Sequence, residues 1–178
     1  MRTDSRTDRL ARFLLSKLGE YKEIRLTEEN ILPLSEERLN KRSAYIEKGD
    51  YSDDMFRYAK DFSSADIIVI AAPYWDLSFP SVLKVYFENI YVTGLVSRYG
   101  EDGRPQGLCK AQKLYYVTTA GGPYNPDFSY GYIRDLAQNY LGIGETELIS
   151  AEMLDIAGNN PEKIMTEAMN CIDKSAII

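Results

Sequence analysis

Apolar residues recur along this chain in two rhythms, and the switches between them mark its elements. Leu10, Ala11, Phe13, Leu14 and Leu18 are spaced for one face of an amphipathic helix, with Asp4 or Ser5 placed to cap it. Lys-Glu-Ile-Arg-Leu at 22–26 alternates polar and apolar, the period of a short strand near a sheet edge. Ser35 then opens one or two helices between 36 and 48, and Asp53 caps another that turns Met55, Phe56, Ala59 and Phe62 inward. Residues 67–72 are apolar without a break, as a strand buried on both faces requires, so this is the expected centre of the sheet. Pro73 ends it, having no amide hydrogen. Pro80 starts a helix reaching about Val92, with Leu83, Tyr86, Phe87, Ile90 and Tyr91 on its apolar face. Residues 94–107 read as loop, with a strong turn signal from Gly100 to Gly103. A strand is predicted over 113–119, a helix over 128–141 and a last strand over 145–154. Asn159 or Asn160 caps a final helix after Pro161, whose inward face includes Ile164, Ala168, Cys171 and Ile172.

This alternation defines an α/β chain with a parallel sheet covered on both faces. Its 178 residues suffice for one domain with a proper core, and 1–178 is read as that single domain. The order begins with a helix where a doubly wound chain begins with a strand. A leading strand of about five to eight residues would end where Ser5 stands. The expectation is a doubly wound parallel sheet flanked by helices, with the first strand missing from this chain. In the order 2-1-3-4-5 that strand lies between the second and the third.

Charge and composition narrow the chemistry. A net charge of −6 and a pI near 4.8 argue against a nucleic-acid partner and fit a cytoplasmic protein kept soluble by carboxylate. No stretch is long and apolar enough to cross a membrane, and the polar opening is unlike a signal peptide. The chain has no histidine, which excludes Ser-His-Asp and Cys-His catalysis and His-bearing zinc sites. Cys109 and Cys171 lie outside any metal-ligand spacing and read as buried or half-buried thiols rather than a disulfide. No metal site is expected.

Three short stretches carry candidate chemistry. Residues 74–79 follow the central strand and carry large aromatics where a plain turn prefers Gly, Asn or Ser. In an open α/β sheet the crevice beyond a strand's carboxyl end binds ligands, and this turn suits a flat ring better than a phosphate. Gly121 and Gly122 break the next strand and let backbone amides approach a ligand with no Cβ between, although a plain turn uses the same residues. Ser5, Arg6 and Thr7 offer hydroxyls, a guanidinium and free amides to a phosphate at a helix start, but taken alone simple capping is the better explanation, since such residues open most helices.

Taken together, Ser-Arg-Thr at 5–7, the block from Ala72 to Tyr86, Gly94 followed by Arg98 and Tyr99, and Thr-Thr-Ala-Gly-Gly-Pro-Tyr at 118–124 resemble the FMN-dependent NAD(P)H:quinone oxidoreductases and azoreductases, a flavodoxin-like family. The likeness runs from residue 5 almost to the end. It implies a homodimer with one FMN per subunit at the interface. Residue by residue, it assigns Ser5, Arg6 and Thr7 to the phosphate. Pro73, Tyr74, Trp75, Asp76 and Leu77 fall in the loop along the isoalloxazine ring, and Thr119, Ala120, Gly121 and Gly122 in the loop at its pyrimidine end. Trp75 and Tyr124 fall at the substrate pocket. No side chain is catalytic in this reading, since flavin N5 carries hydride from NADH or NADPH to a quinone or azo compound in a ping-pong cycle. The chain departs from the family twice: the first strand and its terminal serine are absent, and Thr-Ala-Gly-Gly stands where many members have Ser-Arg-Gly-Gly. A flavodoxin-type one-electron carrier and a flavodoxin-fold remnant that binds no flavin are the competing readings.

Overall fold

In the computed structural model, which describes residues 4–174, capping and spacing set the elements; the polar opening at 1–3 lies outside the described residues. Helix α1 runs over Arg6–Leu18 behind Ser5, whose Oγ accepts the Asp8 amide hydrogen at 3.2 Å. Helix α2 (Glu36–Glu47) starts at Ser35 in the same way, with the Arg38 amide donating at 3.3 Å. Asp53 caps a single 3₁₀ turn that leads into α3 (Arg57–Ser64), burying Phe56, Ala59 and Phe62. Then follow β1 (Ile67–Ala71), α4 (Ser81–Ile90), β2 (Ser97–Tyr99), β3 (Pro105–Gly107), β4 (Lys113–Thr119), α5 (Tyr130–Leu136), β5 (Glu145–Ala151) and α6 (Pro161–Lys174).

The sheet is parallel, in the order β1-β4-β5, with Ile67 opposite Lys113 and Lys113 opposite Glu145. Strand β4 is paired on both sides and covered on both faces, so all seven of its residues are buried. Its side chains alternate between two cores, as the strand period requires. Tyr115 and Val117 meet Leu10, Leu14, Met165 and Ile172 of α1 and α6, while Leu114 and Tyr116 meet the cluster around Phe56, Phe62, Leu83, Phe87 and Ile133. Each large apolar side chain buried along β4 contributes about 1.5–3 kcal/mol. This places the sheet's centre at β4.

Several expectations need correction. The run at 67–72 is an edge strand, not the centre: Ile68 and Ile70 are buried, Ile67 and Val69 half-buried, and Ala71 exposed. Residues 22–26 form no strand, although Ile24 and Leu26 still pack against the core. The two departures share a cause. A strand is a ladder before it is a pattern, and among the described residues nothing pairs either with 22–26 or with the outer side of β1. The expected loop at 94–107 holds the antiparallel hairpin β2–β3, closed by the foreseen turn, in which the Gly103 amide donates a hydrogen bond to the Gly100 carbonyl at 3.0 Å. Helix α5 widens into a π-helical turn over Ala137–Leu141, and Gly142 (φ 79°) ends it against Gly107, where a Cβ would overlap the Gly142 backbone. In α6 the deepest residues are Met165 and Ile172, and Cys171 is exposed.

Cys109 is half-buried, its thiol donating to the Val96 carbonyl at 3.8 Å, and burial pushes its pKa up to about 12. An unfolded thiol releases its proton near pH ~8.5. Above that value the folded chain holds a proton that the unfolded chain has lost, so stability from this group is complete below ~8.5 and declines toward the folded value. The urea midpoint is expected to fall between pH 8 and 9.5, and to fall less in Cys109→Ala. Parallel profiles for the two proteins contradict this.

Candidate functional site

The carboxyl ends of the strands open on one side of the sheet, where the start of α1 also lies. Thr119, the last residue of β4, collects three segments there. Its carbonyl accepts the Tyr74 amide hydrogen at 3.0 Å, extending the β1 ladder into the aromatic turn. Its hydroxyl, buried, pairs with that of Thr7 at 2.6 Å. The next residue, Ala120, donates its amide to Ala151 of β5 at 2.9 Å. Phosphate-turn, ring-loop and Gly-Gly candidates, far apart in sequence, therefore meet at one edge.

In the aromatic loop Pro73 and Tyr74 are half-buried, whereas Trp75 and Leu77 are 60% and 62% exposed. The loop closes on itself: Trp75 and Ser78 exchange amide-to-carbonyl bonds of 2.9 and 2.8 Å. Between them Asp76 (φ 47°) and Leu77 (φ 68°) both lie in the left-handed region, the backbone of a type I′ turn that ordinarily uses Asn and Gly. For leucine this is strained, by about 1–3 kcal/mol. The amides of Asp76 and Leu77 are engaged by no hydrogen bond among the described residues, while the Trp75 amide is spent inside the turn.

At the start of α1 the first amides, of Arg6 and Thr7, have no partner among the described residues, as helix geometry dictates. The Arg6 guanidinium does have one. Its Nη1 donates to Asp155 Oδ1 at 2.7 Å, a contact the sequence did not reveal. The Thr7–Thr119 pair holds two hydroxyl hydrogens and uses one between them, leaving one to donate.

Gly121 and Gly122 differ. A Cβ at Gly121 would overlap the Asp155 carboxylate; one at Gly122 meets nothing within 4 Å. Their carbonyls are occupied, by the Asp155 amide at 2.8 Å and the Met153 amide at 3.0 Å, and their own amides are unengaged among the described residues. Met153 (φ 62°) turns the chain here, which is why the last strand ends at Ala151 instead of continuing to 154. Tyr124 stands edge-on to Tyr74, ring centroids 4.8 Å apart, with its hydroxyl 2.8 Å from that of buried Ser129. Burial raises the pKa of Tyr124, and the Ser129 hydrogen bond offsets part of that rise.

Three residues at this edge went unread in the sequence: Asp155, Glu152, which accepts the Tyr124 amide at 2.6 Å, and Ser129. Asp155 and Glu152 follow the final strand, and the usable signal was that every loop after a parallel strand opens on the same crevice.

An open parallel α/β sheet with donor-rich loops at its carboxyl edge defines a ligand-binding doubly wound protein. A family model described as "Flavodoxin-like fold" matches residues 1–175. An FMN-dependent NADH:quinone oxidoreductase of Coprothermobacter proteolyticus is 34% identical over 93% of this chain and 88% of its own length. Another, from Clostridium acetobutylicum, is 38% identical over 68% of this chain and 61% of its own. An FMN-dependent NADH-azoreductase of Bacillus anthracis, solved in complex with FMN, superposes with a TM-score of 0.76 at 20% identity, over 96% of this chain and 89% of that one. The chain belongs to the flavodoxin-like family that includes the FMN-dependent NADH:quinone oxidoreductases.

Leu77→Gly is expected to raise the stability of the flavin-free chain by about 1 kcal/mol, because glycine accepts φ 68° without strain and little buried surface is lost. Thermal denaturation reads this directly. A lowered midpoint contradicts the strain argument.

Proposed function

We propose that this chain, acting as one domain over 1–178, binds FMN at the carboxyl edge of its sheet and reduces quinones or azo compounds with NADH or NADPH. The observation that carries the reading is the convergence of unengaged amide pairs from Arg6–Thr7, Asp76–Leu77 and Gly121–Gly122 around an exposed aromatic wall. The chemistry of these donors fits the group. Ser5 and the first amides of α1 suit a phosphate dianion, which the helix dipole favours by about 0.3–1 kcal/mol. Pro73, Tyr74 and Trp75 offer apolar edges to a tricyclic ring, the bare face of Gly122 leaves room for it, and the buried Tyr74 hydroxyl is without a partner among the described residues. Thr119 and Ala120 hold that loop in place.

Bound FMN supplies the hydride chemistry, so the side chains need no nucleophile or acid–base dyad. The unengaged amides of Asp76, Leu77, Gly121 and Gly122 would stabilise negative charge on a bound ring, and being held by the fold they would need no reorganisation. Trp75 and Tyr124 would wall the space for donor and acceptor, which in a ping-pong cycle would occupy it in turn.

We read the working form as a cytoplasmic homodimer. The exposed apolar side chains Trp75, Leu77, Phe128 and Tyr132 form one surface, joined by the Ser78 hydroxyl donating to the Phe128 carbonyl at 2.8 Å and by Phe79–Tyr132 ring contact at 5.7 Å. Tyr132 also lines a groove of about 270 Å³, whose apolar wall is Leu34, Phe87, Tyr91, Tyr132 and Leu136 and whose charged rim is Arg42, Lys84 and Glu88. A second copy covering this surface would also close the crevice over a bound ring.

Purified chain with added FMN is expected to oxidise NADH or NADPH with benzoquinone and with an azo dye, giving parallel double-reciprocal lines. Absence of turnover overturns the activity, and converging lines overturn the ping-pong order. Gly122→Val is expected to lower FMN affinity at least about tenfold while leaving the melting point of the flavin-free chain unchanged. Unchanged affinity contradicts placing the ring at this loop.

A further inference from the structure

The start of α1 is short of cations for a site that takes an anion. Each arginine there is already committed: Arg6 to Asp155 at 2.7 Å, Arg9 to Glu162 through two bonds of 3.1 and 3.0 Å, and Arg12 to Asp8 at 2.7 Å. Asp4 adds a further exposed carboxylate beside Ser5. A phosphate arriving at the free amides of Arg6 and Thr7 therefore finds a terminus whose positive side chains are neutralised by neighbours.

The Arg6–Asp155 pair has one fixed partner and one that can move. Asp155 is held by the backbone: its amide donates to the Gly121 carbonyl at 2.8 Å, the preceding Leu154 amide donates to Ala120 at 3.2 Å, and Leu154 itself is buried. The carboxylate lies against Gly121, in the space a Cβ would need. Arg6 reaches it from the first turn of α1 on a long, partly exposed side chain. An exposed pair of this kind is worth only about 0–1 kcal/mol, whereas guanidinium to phosphate is a stronger, bidentate match. Arg6 is thus the partner that can be drawn away.

We infer that Asp155 sets the crevice's preference for a phosphorylated over an unphosphorylated flavin, by holding the Arg6 guanidinium that the phosphate must draw off. The inference rests on the flavin reading above. Asp155 acts through Arg6 and is a positioning residue. It also joins the two ends of the site, since the group that holds Arg6 packs against the Gly-Gly loop.

The test is titration of the flavin-free full chain with FMN and, separately, with riboflavin, following flavin fluorescence. Asp155→Asn keeps the side chain's shape against Gly121 and removes its charge. It is expected to tighten FMN roughly fivefold, leave riboflavin within about twofold, and show a smaller gain at high salt. In an Arg6→Gln background the same substitution is expected to change FMN affinity by less than about twofold. Unchanged or weaker FMN binding in Asp155→Asn overturns the inference. So does equal tightening of riboflavin, which makes the effect one on the ring, and so does tightening that persists without Arg6, which makes it direct repulsion of the phosphate. A wild-type chain that binds neither flavin overturns the flavin reading itself and the inference with it.

Discussion

The crevice hangs from the last residue of β4. Thr119 spends its carbonyl on the aromatic turn and its hydroxyl on α1, and its neighbour Ala120 continues the ladder to β5. Each of these bonds is ordinary, worth about 0.5–1.5 kcal/mol. Their value lies in convergence. They fix segments that start in different parts of the chain at a spacing set by the sheet, so loops with few contacts of their own inherit the rigidity of a buried strand.

Strain is concentrated where that rigidity is greatest. Asp76, Leu77 and Met153 hold left-handed backbone, and all three border the crevice. A turn closed by paired bonds between Trp75 and Ser78 can bear such a conformation because its ends are tied at both flanks, by Tyr74 to Thr119 and by Ser78 to Phe128. The result is a pair of amides, of Asp76 and Leu77, left without a hydrogen bond among the described residues.

Much of this was legible in the residues, for identifiable reasons. Helix starts are written locally: Ser5, Ser35, Asp53 and Asn160 each accept an amide within three residues. Strand β4 was legible to its limits because its apolar middle, Leu114 to Val117, is followed by the chain-breaking Ala-Gly-Gly-Pro at 120–123. The hairpin β2–β3 was not, since strands of three residues are too short to show a period. Residues 22–26 had the alternation of a strand and none of its pairing, which no local pattern can report. In the crevice the turn residues announced themselves by being unusual for turns, whereas Asp155 meets Arg6 across 149 positions and looks like any loop aspartate until the chain is folded.

The chain has one tryptophan, and it stands at the base of the aromatic turn, 60% exposed. Its indole emission therefore describes the mouth of the crevice and is nearly blind to the core, which is built around tyrosine, phenylalanine and aliphatic side chains. A spectroscopist watching this molecule melt by tryptophan light would be watching one loop. The same light makes that loop a built-in beacon for whatever settles beside it.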